Sequence, residues 1–115
     1  MRRVALVSNG EEGVRRVIQF ATGDGVYLFL SRSDEDRGSF ADEWYATVQD
    51  AAEECLKRFG IKESDWRTVP DPKPFCQHDW IAPVRVKGRA DGRPEWGQLE
   101  RFVDGKWVDL KDDPE

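Results

Sequence analysis

The residues with the clearest chemical potential lie in the stretch DPKPFCQHDW, residues 71–80. His78 is separated from Cys76 by one residue, and Asp79 follows it directly. A histidine can remove the proton of a thiol and a carboxylate can orient the imidazole, which is the arrangement used in nucleophilic catalysis. Such partners usually come from separate segments of a chain, so their adjacency counts against this chemistry. We rank a structural role of Cys76, His78 and Asp79 above a catalytic one.

The same cluster could bind a metal ion through Cys76 and His78, with Cys55 as a third ligand. A structural zinc site usually takes four ligands in paired spacings such as C-x₂-C, and the sequence supplies no second pair. Cys55 falls on the apolar stripe of a predicted helix, where a cysteine usually behaves as a small hydrophobic residue. We expect neither a metal ion nor a cofactor. The polar side chains are expected to bond backbone groups of a segment that prolines interrupt.

A second set of oxygen ligands lies in the stretch SRSDEDRGSFADE. Asp34 and Asp36 have the first two ligand spacings of an EF-hand calcium loop. Gly38 stands where a third oxygen ligand belongs, and Tyr45 where a bidentate glutamate belongs. The pattern therefore predicts a solvated acidic turn that leads into a helix, and not a calcium site.

A basic run spans residues 85–93, and its cations are Arg85, Lys87, Arg89 and Arg93. A protein that binds nucleic acid needs such residues on a broad basic face with aromatic platforms, and Trp96 is close in sequence. Arg85 and Lys87 alternate with valines, as on the solvent side of a strand. The run therefore predicts a polar strand face and a loop, and nucleic-acid binding ranks below that interpretation.

Length, composition and net charge restrict the class of protein to which the chain can belong. The chain has 115 residues, which fits one domain over residues 1–115. Its five tryptophans can fill a core although only 38% of the residues are hydrophobic. The formal net charge is −5, and residues 33–65 alone carry ten acidic and four basic side chains, a net charge of −6. This balance disfavours nucleic acid and anionic membranes as partners.

The N-terminus and the cysteines bear on location. After two arginines, MRRVALVSNG offers only four apolar residues, which is too short for the core of a signal peptide or for a membrane span. Two cysteines without a secretory signal are most simply free thiols in a reducing cytoplasm. We therefore expect a cytoplasmic protein without a membrane partner.

The first third of the chain predicts strands. RRVALVS is a short apolar run that NG ends, and VYLFLS alternates between two faces. Residues 12–21 fit a helix or a strand, because Val14 and Ile18 match a helical face while Arg16 and Phe20 share one side of a strand with Ile18. We favour the strand, since Val, Ile and Phe prefer pleated surfaces, and expect an antiparallel meander of three strands.

The stretch SFADEWYATVQDAAEECLKRFG, residues 39–60, predicts the main helix. Ser39 and Asp42 have the spacing of a capping box, and Gly60 is placed to end the helix. Apolar residues recur at helical spacing on one stripe, which Ala52 and Leu56 flank. The members of the stripe are Trp44, Val48, Ala51, Cys55 and Phe59. The opposite, acidic face is expected in water.

Residues 61–83 lack regular periodicity, and four prolines fall among residues 69–83. Apolar residues within them predict a loop that its own side chains hold in place. Further on, Asp104-Gly105 predicts a hairpin. The fold class is α+β, with an antiparallel sheet of about five or six strands, a meander plus a C-terminal hairpin, and one main helix on one face. The acidic tail, residues 111–115, is expected to be frayed.

The first functional hypothesis is a small acidic module that binds another protein and is not an enzyme. Its surface is either the acidic loop and helix or a proline-rich loop with aromatic anchors. The candidate binding residues are Asp34, Asp36, Asp42 and Glu43 on the first surface, with Glu35 beside them, and Trp66, Phe75 and Trp80 on the second. An enzyme or metal-dependent protein centred on Cys76 is the second hypothesis, and a nucleic-acid adaptor that uses residues 85–93 is the third.

Overall fold

Residues 1–8 and 10–110 are described by a computed structural model of the chain. They form one α-helix and eight strands in two antiparallel sheets, so the predicted α+β class is confirmed. The chain divides into two compact units, Met1–Asp71 and a second that starts at Pro72. One domain over residues 1–115 stays a prediction. The predicted frayed tail at residues 111–115 lies outside the described residues.

The first unit contains a five-stranded antiparallel sheet in the order β4-β3-β2-β1-β5. Its strands are β1 (Arg2–Leu6), β2 (Arg16–Thr22), β3 (Gly25–Ser31), β4 (Ala41–Tyr45) and β5 (Arg67–Val69). The meander of β1, β2 and β3 is confirmed. The segment that fitted both a helix and a strand is a strand from Arg16 onward, and residues 16–19 are all buried. Arg16 and Gln19 are buried there beside Val17 and Ile18, so the strand lacks the alternation of apolar and polar residues that would identify it from the sequence.

The helix α1 spans Val48–Phe59, and the prediction that it begins near Ser39 is wrong. Ala41–Tyr45 instead pairs with β3 over its whole length. Thr47 is the N-cap, and its hydroxyl accepts a hydrogen bond of 3.0 Å from the backbone N–H of Asp50. The helix ends before Gly60, as predicted. In the described part of the chain, no helix is long and apolar enough to cross a membrane.

The core of the first unit lies between α1 and one face of the sheet. From α1 it receives Ala51, Cys55 and Phe59, which the predicted stripe contained. From β1, β2 and β3 it receives Ala5, Val17, Val26, Leu28 and Leu30. Two other predicted members of the stripe lie elsewhere, since Trp44 is on β4 and Val48 is exposed. The shorter helix therefore buries a narrower stripe than the sequence indicates.

The second unit contains a three-stranded antiparallel sheet in the order β6-β7-β8. Its strands are β6 (Val84–Val86), β7 (Leu99–Val103) and β8 (Lys106–Asp109). The hairpin at Asp104-Gly105 is confirmed, and both residues have a positive φ, 50° and 79°. Phe102 is in register with Trp107, and their rings meet edge to face with centroids 5.2 Å apart.

We expect Thr47→Ala to lower the free energy of unfolding by about 1 kcal/mol, because it removes the acceptor that caps α1. Urea denaturation followed by circular dichroism would measure the change. Thr47→Ser keeps the hydroxyl and should stay close to the parent protein. If both variants lost the same stability, the cap at Thr47 would not be what fixes the start of the helix.

Candidate functional site

Strand β4 forms one edge of the five-stranded sheet. It pairs with β3 on one side, from Ala41 opposite Leu30 to Tyr45 opposite Val26. On its other side, alternate backbone N–H and C=O groups point away from the sheet, as they do along any edge strand. We call Phe40–Tyr45 the β4 edge. It is the place where the sheet presents both backbone groups and side chains outward.

The side chains of the β4 edge alternate between two environments. Phe40, Asp42 and Trp44 are exposed, and Asp42 and Trp44 lie on the face of the sheet opposite α1. Ala41 and Tyr45 are half-buried against the core beneath α1. Trp44 and Asp42 therefore share one exposed face of the strand. Phe40 precedes the strand, its N–H donates to the carbonyl of Leu30, and its ring centre lies 3.8 Å from the Arg32 guanidinium.

Trp44 is 55% exposed, yet its indole is held in place. The ring lies over the turn between β2 and β3, where a Cβ on Gly25 would come within 2.4 Å of the indole Nε1. Gly25 also has a φ of +136°, so both the backbone and the contact require glycine. Trp44 is in register with Tyr27, which is in register with Phe20. A row of aromatic residues therefore crosses three strands and ends at the edge.

The negative charge around the β4 edge is only partly compensated. Residues 33–54 carry eight acidic side chains and one basic side chain, a net charge of −7. Four ion pairs with arginine are present: Asp34–Arg15 at 3.7 Å, Glu35–Arg37 at 3.1 Å, Asp36–Arg16 at 3.6 Å and Glu43–Arg58 at 2.6 Å. The remaining four carboxylates form no ion pair with residues 1–8 or 10–110, and they are Asp42, Asp50, Glu53 and Glu54.

The acidic residues predicted to form one binding surface do not lie where the sequence indicates. Asp34 and Asp36 lie in the loop before β4, where arginines from β2 and its preceding turn pair with them. Asp42 and Glu43 lie on strand β4 and not on the helix. Of these four predicted binding residues, Asp42 is the exposed one that no cation compensates within the described ranges.

Glu43 connects β4 to α1. Its Oε1 accepts hydrogen bonds from Arg58 Nη1 at 2.6 Å and from Tyr45 Oη at 2.9 Å. Burial opposes ionisation of Glu43, but the two hydrogen bonds and the charge of Arg58 hold its pKa below the ordinary value. Burial, with the Glu43 carboxylate, raises the pKa of Tyr45 to about 12. These contacts give Glu43 a structural role.

The catalytic candidates differ in exposure. Cys76 is buried, with 4% exposure, whereas His78 is exposed. Cys76 forms a single antiparallel bridge with Arg85, and the next backbone N–H, of Gln77, donates to the carbonyl of Val84 at 2.6 Å. Burial also raises the pKa of Cys55 to about 12. Within residues 1–8 and 10–110, no group of three or more His, Cys, Asp or Glu side chains is placed to hold a metal ion.

The three aromatic candidates of the proline-rich loop differ in exposure. Trp66 belongs to the first unit and is half-buried, with the Arg3 guanidinium 4.5 Å from its ring centre. Trp80 and Phe75 belong to the second unit, where Trp80 is half-buried and Phe75 is 54% exposed. Of the three, Phe75 is the one that presents most of its ring to solvent.

Phe75 also has a strained backbone. The N–H of Cys76 donates to the carbonyl of Lys73 at 3.0 Å, which closes a tight turn with Pro74 and Phe75 at its centre. Phe75 has a φ of +66° there, a conformation that costs a residue with a Cβ about 1 kcal/mol or more. An exposed aromatic residue in a glycine-type position does not serve the stability of the turn.

Two cations of the basic run are engaged within the second unit. Arg85 Nε donates to Glu100 Oε1 at 2.6 Å, and its guanidinium lies 3.8 Å from the ring centre of Trp107. Lys87 Nζ donates to Asp109 Oδ2 at 3.0 Å. The side chains of Arg89 and Arg93 are exposed and form no ion pair in the described part of the chain. The run therefore offers two open cations and not four.

Comparisons of the chain with protein-family models, with curated proteins and with solved structures find no match. The structure itself is therefore the basis for assigning a function. Sequence reasoning missed Phe40 and Trp44 as exposed residues, because Trp44 also fits the helical stripe. The alternation of aromatic and acidic residues in FADEWY is the signal that could have found them.

We expect Glu43→Gln to destabilise the protein near pH 7 but to have little effect in acid. The pKa of folded Glu43 lies below its ordinary value of 4.5, so the ionised form stabilises the fold above that pH. The contribution is lost as the pH falls below 4.5 through the folded pKa. Urea unfolding at about pH 7 and at about pH 3 would measure it. Glu12→Gln, at an exposed carboxylate without an ion pair among the described residues, is the control. An equal loss at both pH values would contradict the role of Glu43.

We expect both thiols of the native protein to be alkylated much more slowly than free cysteine near pH 7. Cys55 is buried with its pKa raised to about 12, and Cys76 is buried as well. Iodoacetamide labelling before and after denaturation, with Cys55→Ala and Cys76→Ala to assign the sites, would measure the rates. A Cys76 that reacts faster than free cysteine would support the enzyme hypothesis instead.

Proposed function

We propose that the protein is a non-enzymatic binding module that contacts another protein through the β4 edge. The observation that supports this most directly is Trp44, which is more than half exposed while its indole is fixed against Gly25. A tryptophan that is already ordered loses little side-chain freedom on binding. Trp44 therefore has the properties of an interface anchor.

The surroundings of Trp44 fit an interface better than they fit the edge of a free sheet. Exposed edge strands of soluble proteins are usually short, or they carry lysine or proline that discourages pairing. The β4 edge has five strand residues, with Phe40 and Trp44 exposed, and contains neither lysine nor proline. Tryptophan is also among the residues that contribute most to the energy of interfaces.

Charge favours a basic partner. Asp42 lies between the two exposed aromatic residues, and three further uncompensated carboxylates, Asp50, Glu53 and Glu54, follow on α1. A basic surface on the partner would be attracted over a distance and would offset this charge on contact. The sequence predicts the acidic loop and helix, or the proline-rich loop, as the contact surface. The ion pairs of the acidic loop instead favour Asp42 and the first turns of α1.

A second contact surface is favoured by one observation, the strained and exposed Phe75. Backbone strain of this kind persists where it serves a function or where the surrounding structure enforces it. Phe75 would then act as the anchor of the proline-rich loop. The enzyme and nucleic-acid hypotheses have less support, since the Cys76 thiol is buried and two of the four cations are engaged.

We expect Trp44→Ala to weaken partner binding by about 30-fold or more, corresponding to about 2 kcal/mol for an aromatic anchor. Proteins captured from cells that naturally make the chain would be quantified on the wild type and on matched variants. Asp42→Lys should lose the same partner, because it reverses the charge between the aromatic residues. Leu56→Ala is the control, since Leu56 is also 55% exposed but lies on α1.

A Phe75→Gly variant separates the two surfaces. Glycine relieves the positive φ, so this variant should be at least as stable as the wild type. Binding that survives Phe75→Gly and fails on Trp44→Ala supports the β4 edge. Binding that survives Trp44→Ala and fails on Phe75→Gly would instead support the proline-rich loop as the contact surface. A partner that binds all of these folded variants equally would contradict both surfaces.

A further inference from the structure

The two edges of the five-stranded sheet are built differently. β5 has three residues, Arg67–Val69, and Pro70 follows it directly. Proline lacks the backbone N–H that a neighbouring strand would bond, so this edge is protected against extension. β4 has five residues, and all of them pair with β3. The β5 edge is thus protected against pairing with a further strand, whereas the β4 edge can accept one.

The side chains of the β4 edge match the periodicity of an added strand. Asp42 and Trp44 alternate on one face of β4, so a strand paired with β4 would place its own alternate residues opposite them. An apolar residue opposite Trp44 would cover its exposed ring. A lysine or arginine opposite Asp42 would pair with its carboxylate. The pattern that the edge can read is a basic and an apolar residue at alternate positions.

A second copy of the chain is a poor occupant of this edge. Antiparallel pairing of β4 with β4 would bring Asp42 and Glu43 of one chain beside the same two residues of the other. Like charges at directly opposed positions destabilise a strand pair. Asp42, which no cation compensates among the described residues, would repel the carboxylates of a second copy but attract a basic segment.

We infer that the β4 edge binds a basic, extended segment of its partner, which pairs with β4 as a sixth strand of the sheet. This inference rests on the proposed binding function and names the chemistry of the partner. Backbone hydrogen bonds to β4 supply sequence-independent affinity, and the alternating side chains supply the selectivity. The exposed ring of Trp44 and the open backbone groups of the edge are covered in one step.

Defined peptides test the strand pairing directly. The peptide TVKKKVT places a valine and a lysine at alternate positions on one face, as the edge requires. The peptide TKVKVKT has the same composition and charge, but its lysines lie on one face and its valines on the other. TVKPKVT has a central proline that removes one backbone donor together with the lysine that faces Asp42, so TVKAKVT, which lacks that lysine but keeps the donor, is its matched control. TVEEEVT reverses the charge. Binding to the wild-type chain would be followed by the fluorescence of its tryptophans and by calorimetry.

We expect TVKKKVT to bind at least about tenfold more tightly than TKVKVKT, TVKPKVT and TVEEEVT, and TVKAKVT to bind more tightly than TVKPKVT. The affinity should fall as salt is added, and Trp44→Ala should weaken it. Hydrogen exchange should show new protection of the outward-pointing amides of Ala41–Tyr45 on binding. The protein alone should remain monomeric in light scattering as its concentration rises.

The outcomes separate this inference from the function on which it rests. Equal binding of TVKAKVT and TVKPKVT, without new amide protection in β4, would overturn strand pairing, and so would self-association through the edge. If those results accompany a cellular partner that is still lost on Trp44→Ala, the binding function stands and only the strand pairing fails. If the partner is also indifferent to Trp44→Ala and Asp42→Lys, the function proposed for the β4 edge fails as well.

Discussion

The pairing of Ala41–Tyr45 with β3 is the constraint on which the rest of the first unit depends. It fixes these residues as a strand, so the helix can begin only after Thr47. It also sets the alternation that turns Ala41 and Tyr45 toward the core and Trp44 toward solvent. Five backbone pairs outweigh the modest helical propensity of a short segment, because propensity differences are small for each residue. The strand conformation of Ala41–Tyr45 thus determines which residues of α1 enter the core, where Glu43 lies and which side chains of β4 are exposed.

Buried arginines explain why an acidic chain does not leave most of its acidic loop free to bind. Arg16 is buried on β2, and its guanidinium donates to the carbonyls of Glu35 and Arg37 at 2.7 and 2.6 Å. Arg2 is buried on β1 and donates through Nε to the carbonyl of Pro70 at 2.8 Å. A buried guanidinium must have such partners, since the cost of removing it from water is large. The segments before β4 and after β5 are therefore held by cations of the central strands, and carboxylates near them serve the fold.

The parts of the fold that depend on neighbouring residues could be predicted, and those that depend on distant pairing could not. The turn at Asp104-Gly105 and the end of the helix at Gly60 follow from the conformational freedom of single residues. The start of the helix does not, because FADEWY satisfies a helical stripe and a strand alternation at once, and only β3 decides between them. The candidate site shows the same division. The sequence shows that Asp42 is acidic, but it does not show that Asp42 has no ion pair among the described residues. Arg15 and Arg16 lie about twenty residues from the carboxylates with which they pair, so the sequence alone does not indicate which carboxylates are compensated.

Stability of the free protein does not explain the exposed rings of Trp44 and Phe75, for a different reason at each position. Trp44 has a relaxed strand backbone, but a threonine or lysine at this position would pair with β3 as well and would protect the edge better. Phe75 occupies a turn in which glycine would remove the strain of a φ of +66°. In each case a simpler residue would serve the free protein at least as well, so the gain from the aromatic ring must be sought outside it. That gain is available only where the exposed ring is covered by something else, which is the physical reason to treat both positions as contact sites.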